Sequence, residues 1–230
     1  DRLNVLGTVL MIAAHPDDIE FGVAGSIARW MKTGAEVTYC IVTDGAAGSN
    51  DPGVDVKALA EQRRAEQCAA AAALGVMDVH FLGYSDGTLQ ATLDLLRDLT
   101  RLIRAVKPDR VICQDPSTMF VRDAYINHPD HRAAGEAAIY AVFPSAGTRP
   151  IFPELLEEGC EPHQVKELYM MLTLEPTLYV DISETVDRKI EALLCHRSQV
   201  GEEAADWIRE RNAEMGRQVG FAFAEAFRVL

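Results

Sequence analysis

Apolar residues along the chain alternate between short continuous runs and longer stretches with helical spacing. The short runs predict strands at residues 9–13, 36–43, 79–82 and 110–113. The longer stretches predict helices at residues 20–32, 56–74, 92–106 and 129–142. Further along the chain, the same reading predicts strands at 167–172 and 178–182 and helices at 184–200 and 202–216.

Strands that alternate with helices indicate a parallel sheet built from right-handed crossovers. The first run is apolar throughout, as is typical of a strand covered on both faces. We therefore expect an α/β fold, a three-layer α/β/α sandwich with a mostly parallel, Rossmann-like sheet. No repeat or linker divides the chain, so residues 1–230 are expected to form a single domain.

The composition and the net charge of the chain argue against some classes of binding partner. The 230 residues include 22 Lys and Arg against 35 Asp and Glu, a formal net charge of −13. This acidity argues against nucleic acids and anionic membranes as partners. The longest apolar stretch, residues 9–14, is too short to span a bilayer, so membrane insertion is not expected. Since no signal-peptide pattern is visible, we expect a cytoplasmic location.

Ionisable side chains follow the first predicted strand directly, in the sequence AHPDDIE at residues 14–20. His15 and Asp18 offer a nitrogen and an oxygen that could face one ion from a tight turn, which Pro16 stiffens. Asp17 and Asp18 would repel each other at close range unless a cation lay beside them. In the alternative interpretation, one of the two carboxylates caps the following helix and His15 fills space.

A second motif of the same kind, NHPDH at residues 127–131, begins a later predicted helix. Pro129 suits the first helical turn, and His128 and His131 lie three residues apart. Taken alone, either histidine could be an ordinary surface residue. However, ligands of parallel sheets bind beyond the carboxyl ends of the strands, so both motifs are expected at one edge of the sheet.

Three nitrogen and oxygen ligands with one open position are typical of a catalytic zinc site. His15, Asp18 and one of the two later histidines would supply this set, and iron(II) could occupy it too. Zinc lowers the pKa of a bound water towards ~7, and Asp17 could take its proton as the water attacks a carbonyl carbon. The remaining histidine could then bind the developing oxyanion or protonate the leaving nitrogen.

The pairing of AHPDD-x-E with HPDH resembles the PIG-L/LmbE-like zinc N-deacetylases, the N-acetylglucosaminyl deacetylases. The likeness extends over about residues 8–200. Further matching segments are Arg63 and Glu66 on a predicted helix, the Asp86-Gly87 turn, and residues 152–155 and 196–199. The loop at residues 43–49 departs from the family pattern at Ala46, where relatives often carry an acid.

The resemblance implies a role for each residue of the two motifs. His15, Asp18 and His131 would be the zinc ligands and Asp17 the general base. His128 would stabilise the oxyanion or act as general acid, and Asp130 would orient a histidine. Arg63 and Asp86 would contact the sugar hydroxyls of the substrate or a group attached to the sugar.

The resemblance also implies a zinc-dependent amidohydrolase that removes the acetyl group from an N-acetylglucosamine-type sugar and forms a homo-oligomer, a trimer or hexamer. Two alternatives stay within the same site: an amidase of a glycosyl thiol conjugate, and a non-catalytic metal-binding α/β protein. A third alternative is a nucleotide- or cofactor-binding enzyme such as a methyltransferase. That enzyme would bind its ligand at the glycine-containing loop and would hold no metal.

Overall fold

The computed structural model describes residues 7–121 and 124–230, which contain a seven-stranded sheet of order β3-β2-β1-β4-β7-β9-β8. The strands of this sheet are β1 (Thr8–Ala13), β2 (Glu36–Thr43), β3 (Asp78–Tyr84), β4 (Arg110–Gln114), β7 (Glu167–Met171), β8 (Leu178–Asp181) and β9 (Ala224–Val229). A separate hairpin consists of β5 (Phe120–Val121) and β6 (Tyr125–Ile126).

Five neighbouring strands, from β3 to β7, are parallel, whereas β9 is antiparallel to both β7 and β8. Strand β1 lies in the middle of the parallel part, where Val9 pairs with Val37 of β2 on one side and with Arg110 of β4 on the other. The sheet is therefore mostly parallel, and the sequence prediction on this point is confirmed.

Helices cover both faces of the sheet. They are α1 (Asp18–Gly22), α2 (Ala24–Lys32), α3 (Val56–Leu74), α4 (Leu93–Val106), α5 (Pro129–Tyr140), α6 (Glu154–Glu157), α7 (Val186–Leu193) and α8 (Ala204–Arg217). Val9 and Met11 of β1 pack in a core with α2, α3 and α7, and Leu10 and Ile12 pack in a second core with α4 and α5. The predicted three-layer sandwich is thus confirmed. Within the described ranges, no helix combines the length and the apolar character needed to cross a membrane.

Two predicted helices differ from those of the structure by more than one or two residues at their ends. The helix expected at residues 20–32 is divided into α1 and α2, because the backbone angles of Val23 (φ −141°, ψ 6°) are not helical. The helix expected at residues 184–200 ends at Leu193. Beyond that point the chain turns, and His196 contacts the buried carboxylate of Glu20.

The sequence did not predict the interior strand β9, whose Glu225 is buried. This carboxylate accepts hydrogen bonds from the backbone N–H groups of Gly25 and Ser26 at the start of α2, at 3.0 and 2.7 Å. It also pairs with the buried Lys189 ammonium group at 2.6 Å. An acidic residue in the middle of a strand interrupts the apolar pattern by which strands are predicted. Buried carboxylates occur only where such partners exist, and the local sequence does not show these partners.

Helix α5 lies close to β4 at Gly135, where a Cβ atom would stand 2.2 Å from the backbone oxygen of Gln114. We expect Gly135→Ala to lower the free energy of unfolding by about 1–3 kcal/mol, because the helix would have to move away from the strand. Denaturant titration measures this change. The control is Gly147→Ala, whose Cβ would meet no atom closer than 3.4 Å. Equal stability of the two variants would contradict the close packing.

Candidate active site

Both histidine motifs meet at the carboxyl edge of the sheet. The first motif directly follows β1, and His128 and His131 lie at the start of α5, the first long helix after β4. The ring centroids of His15 and His128 are 4.6 Å apart, and those of His15 and His131 are 5.2 Å apart. Asp86, which follows β3, has its Oδ1 atom 3.1 Å from Nε2 of His15. The structure therefore brings three distant segments together: the one that contains His15 and two others that contact it.

His15, Asp18 and His131 form a group that could hold a metal ion. One ligand atom from each of them lies within 4.8 Å of the others. The Oδ2 atom of Asp18 accepts hydrogen bonds from the His15 backbone N–H at 2.7 Å and from Gln114 Nε2 at 2.8 Å. Its Oδ1 atom faces Nε2 of His131 at 3.0 Å. Two imidazole nitrogens and a carboxylate oxygen are a donor set that fits zinc.

A second group of possible ligands, His15, His128 and Asp130, overlaps the first. The oxygens of Asp130 already accept hydrogen bonds from the backbone N–H groups of Gly87 and Leu89, at 2.7 and 3.1 Å. Its Oδ2 atom also lies 3.3 Å from Nε2 of His15. Because backbone groups hold both oxygens of Asp130, the first group is the better candidate for the ion, and Asp130 is placed to orient His15.

Asp17 lies at the start of α1 in the left-handed region, with φ of 90°. Its side chain makes no capping hydrogen bond to the helix, which is evidence against the capping interpretation for this residue. Instead, its Oδ2 atom accepts a hydrogen bond from Arg63 Nη2 at 3.1 Å. Burial and the neighbouring Asp18 carboxylate raise the pKa of Asp17 to about 7, although Arg63 acts in the opposite direction.

His128 caps the N-terminus of α5 through its side chain, because its Nδ1 atom accepts a hydrogen bond from the Asp130 backbone N–H at 3.2 Å. Burial and the nearby ring of His15 lower the pKa of His128. In a neutral ring whose Nδ1 is an acceptor, the proton is on Nε2. This tautomer makes Nε2 of His128 a hydrogen-bond donor.

Arg63 and Asp86, the two residues expected to contact a sugar, both lie beside this cluster. The guanidinium group of Arg63 is buried and donates to the backbone oxygens of Gly45 and Pro16, each at 2.8 Å. The Oδ2 atom of Asp86 accepts a hydrogen bond from the Ala47 backbone N–H at 3.0 Å. Both side chains thus have partners within the protein, and their contact with a substrate stays a prediction.

Sequence reasoning assigned no role to several residues that support the site. Gln114 holds Asp18 from the end of β4, and Gln67 of α3 accepts a hydrogen bond from the Asp17 backbone N–H at 3.0 Å. Glu20 belongs to the first motif but contacts Gln67 and His196 instead of the histidines at the metal site. Gln67 follows Arg63 by one helical turn, and this spacing could have indicated that both face the motif.

Comparisons with known proteins agree with this geometry. Residues 10–142 match the model of the PIG-L family, described as GlcNAc-PI de-N-acetylase. The chain is 32% identical to diacetylchitobiose deacetylase of Thermococcus kodakarensis, over 99% of this chain and 85% of that protein. It is also 32% identical to a probable N-acetyl-alpha-D-glucosaminyl L-malate deacetylase 2 of Bacillus cereus, over 83% of each chain.

Among solved structures, N,N'-diacetylchitobiose deacetylase from Pyrococcus horikoshii, complexed with its inhibitor MPG, superposes with a TM-score of 0.90. That likeness has 31% sequence identity and covers 97% of this chain and 83% of the other. The chain belongs to the PIG-L family of N-deacetylases. The resemblance found from the two motifs is confirmed, and with it the class of enzyme, an amidohydrolase of acetamido C–N bonds.

Proposed function

We propose that the protein is a metal-dependent hydrolase that removes the acetyl group from an N-acetylglucosamine-type substrate. The observation that carries this proposal is the group of His15, Asp18 and His131 beside the partly buried carboxylate of Asp17. The relatives named above act on acetylated glucosamine units that differ in the attached group. The sugar is therefore the better supported part of the substrate, and the attached group is left to experiment.

The charges around the site favour a bound cation. Four carboxylates, those of Asp17, Asp18, Asp86 and Asp130, lie against the histidines or Arg63. Arg63 is the one arginine or lysine among these contacts within residues 7–121 and 124–230, so the carboxylates outnumber it. Buried carboxylates without a compensating charge are costly. We propose zinc as the ion, with iron(II) as an alternative that the same donors accept.

Such an ion, held by His15, Asp18 and His131, would polarise the acetyl carbonyl and lower the pKa of water. Asp17 then accepts a proton from the attacking water as the new C–O bond forms. The Nε2 proton of His128 is donated in a hydrogen bond to the acetyl oxygen while negative charge develops there. When the C–N bond breaks, the proton held by Asp17 is transferred to the leaving nitrogen, and acetate and a free amine are released.

The remaining residues of the site hold this arrangement. Asp130, fixed by backbone N–H groups, orients His15. Arg63 holds the Asp17 carboxylate and, with Asp86, is proposed to contact sugar hydroxyls once substrate is bound. These contacts would place the acetyl group close to Asp17 and His128, and correct placement alone lowers the barrier substantially.

A panel of acetylated glucosamine compounds tests the proposal. The panel contains N-acetylglucosamine, diacetylchitobiose, N-acetylglucosaminyl malate, N-acetylglucosaminyl inositol and one amide of a glucosaminyl thiol conjugate. We expect release of free amine from at least one acetylated sugar, loss of this activity with a chelator, and recovery on addition of zinc. Turnover of the thiol-conjugate amide alone would favour the amidase. Bound zinc without any turnover would favour the non-catalytic protein.

A further inference from the structure

We propose that Gln67 is a positioning residue that sets the orientation of Asp17 by holding the peptide group between Pro16 and Asp17. The inference rests on the proposed function, in which Asp17 is the general base. Nothing in the two histidine motifs includes Gln67, which lies on α3 about fifty residues further along the chain. Its role follows from hydrogen bonds between side chains of α3 and the first histidine motif.

Two side chains of α3 hold the two ends of this one peptide group. Its oxygen, on Pro16, accepts a hydrogen bond from Arg63 Nη2 at 2.8 Å. Its N–H, on Asp17, donates to Gln67 Oε1 at 3.0 Å. Arg63 and Gln67 are four residues apart, so they lie on the same face of the helix. The peptide group is therefore fixed at both its acceptor and its donor.

Asp17 needs this support because its backbone is in the left-handed region, with φ of 90°. That conformation costs roughly 1–2 kcal/mol for a residue other than glycine. Such a conformation persists only where surrounding contacts enforce it. If the N–H of Asp17 lost its acceptor, the peptide group could rotate, and the carboxylate would leave its place beside Asp18 and Arg63.

The orientation of the Gln67 amide is itself fixed. Its Nε2 atom donates to both oxygens of Glu20, at 3.1 and 3.2 Å, and Oε2 of Glu20 lies 3.0 Å from Nε2 of His196. Gln67, Glu20 and His196 are fully buried. Since the amide nitrogen must face the Glu20 carboxylate, the amide oxygen must face Asp17. This connects residue 196 to the active site through three hydrogen-bonded side chains.

The test is Gln67→Met, which keeps the length of the side chain but removes both polar atoms. We expect kcat to fall about 10- to 100-fold, because a small displacement of a reacting group is costly. KM should change less than about 3-fold, since no substrate contact is lost. Bound metal should be unchanged, because Gln67 touches none of the three ligands. Gln62→Met, an exposed glutamine on the same helix, is the control and should keep wild-type kcat.

A double-mutant cycle separates positioning from general structural damage. In an Asp17→Asn background, Gln67→Met should lower kcat by less than about 2-fold, because the group that it positions no longer accepts a proton. An equal loss in both backgrounds would overturn the inference. Gln67→Asn, which keeps a polar amide but draws it one methylene away from the Asp17 backbone N–H, provides the same comparison if Gln67→Met does not fold.

The two proposals fail in different ways. If Asp17→Asn keeps full kcat, the base assignment in the proposed function is wrong, whatever Gln67→Met does. If Asp17→Asn is inactive while Gln67→Met and Gln67→Asn match the Gln62→Met control, the proposed function stands and the positioning role of Gln67 is wrong.

Discussion

Replacing Asp17 by asparagine should lower kcat about 100- to 10,000-fold while the metal stays bound. Asparagine has nearly the same size and adopts left-handed backbone conformations readily, so the turn should persist at φ of 90°. However, an amide cannot accept the proton of the attacking water. Alanine at the same position would combine the loss of the base with added backbone strain and would be harder to interpret.

Release of free amine measures the loss of kcat in Asp17→Asn, and elemental analysis measures the metal. The control is Asp51→Asn, an aspartate in the exposed loop after β2, where the same change should leave kcat as in the wild type. A fully active Asp17→Asn would remove Asp17 from the mechanism. Loss of the metal in Asp17→Asn would instead make Asp17 part of the metal site.

Replacing His131 or His128 by alanine should distinguish the two overlapping groups of possible metal ligands. We expect His131→Ala to abolish both metal binding and activity, because Nε2 of His131 faces the Oδ1 atom of Asp18. His128→Ala should keep the metal but lower kcat about 100- to 1,000-fold, the usual cost of losing one donor to a developing oxyanion. Metal content after dialysis and the kcat of both variants are the measurements.

His80→Ala serves as the control for the two histidine variants, because His80 is partly exposed on β3 and pairs with Asp78 instead of the site. A second measurement is the shift of the melting temperature on addition of zinc. A ligand that binds only the folded state raises it, so the shift should persist in His128→Ala and vanish in His131→Ala. The reverse pattern would show that His15, His128 and Asp130 hold the ion.

The part of the site that sequence could predict is the part encoded locally. Each His-Pro-Asp turn combines possible ligands with a stiff backbone within five residues, and the first turn directly follows an apolar strand. In a parallel sheet, this position alone places both turns at one edge. Six of the seven strands of the large sheet and most helices were predictable for the same reason, since the spacing of apolar residues is a property of neighbouring residues.

The contacts that sequence could not predict join residues far apart in the chain. Gln67 and Glu20 are 47 residues apart, and Glu20 and His196 are 176 residues apart. Each of these residues is polar, so its burial contradicts the local pattern and follows only from the partners that the fold supplies. The expected trimer or hexamer and the cytoplasmic location stay predictions, because no spacing within one chain encodes them.

The position of β9 determines how late in synthesis the protein can complete its fold. Within the described sheet, β9 lies between β7 and β8, and the edge strand β8 is joined to the sheet through β9. During synthesis, β8 is made more than forty residues before β9. Until β9 has been made, β8 therefore lacks the strand with which it pairs. Lys189, which pairs with Glu225, also emerges long before its counter-charge. The folded enzyme can therefore form only after synthesis has passed residue 229, although every proposed metal ligand has emerged nearly a hundred residues earlier.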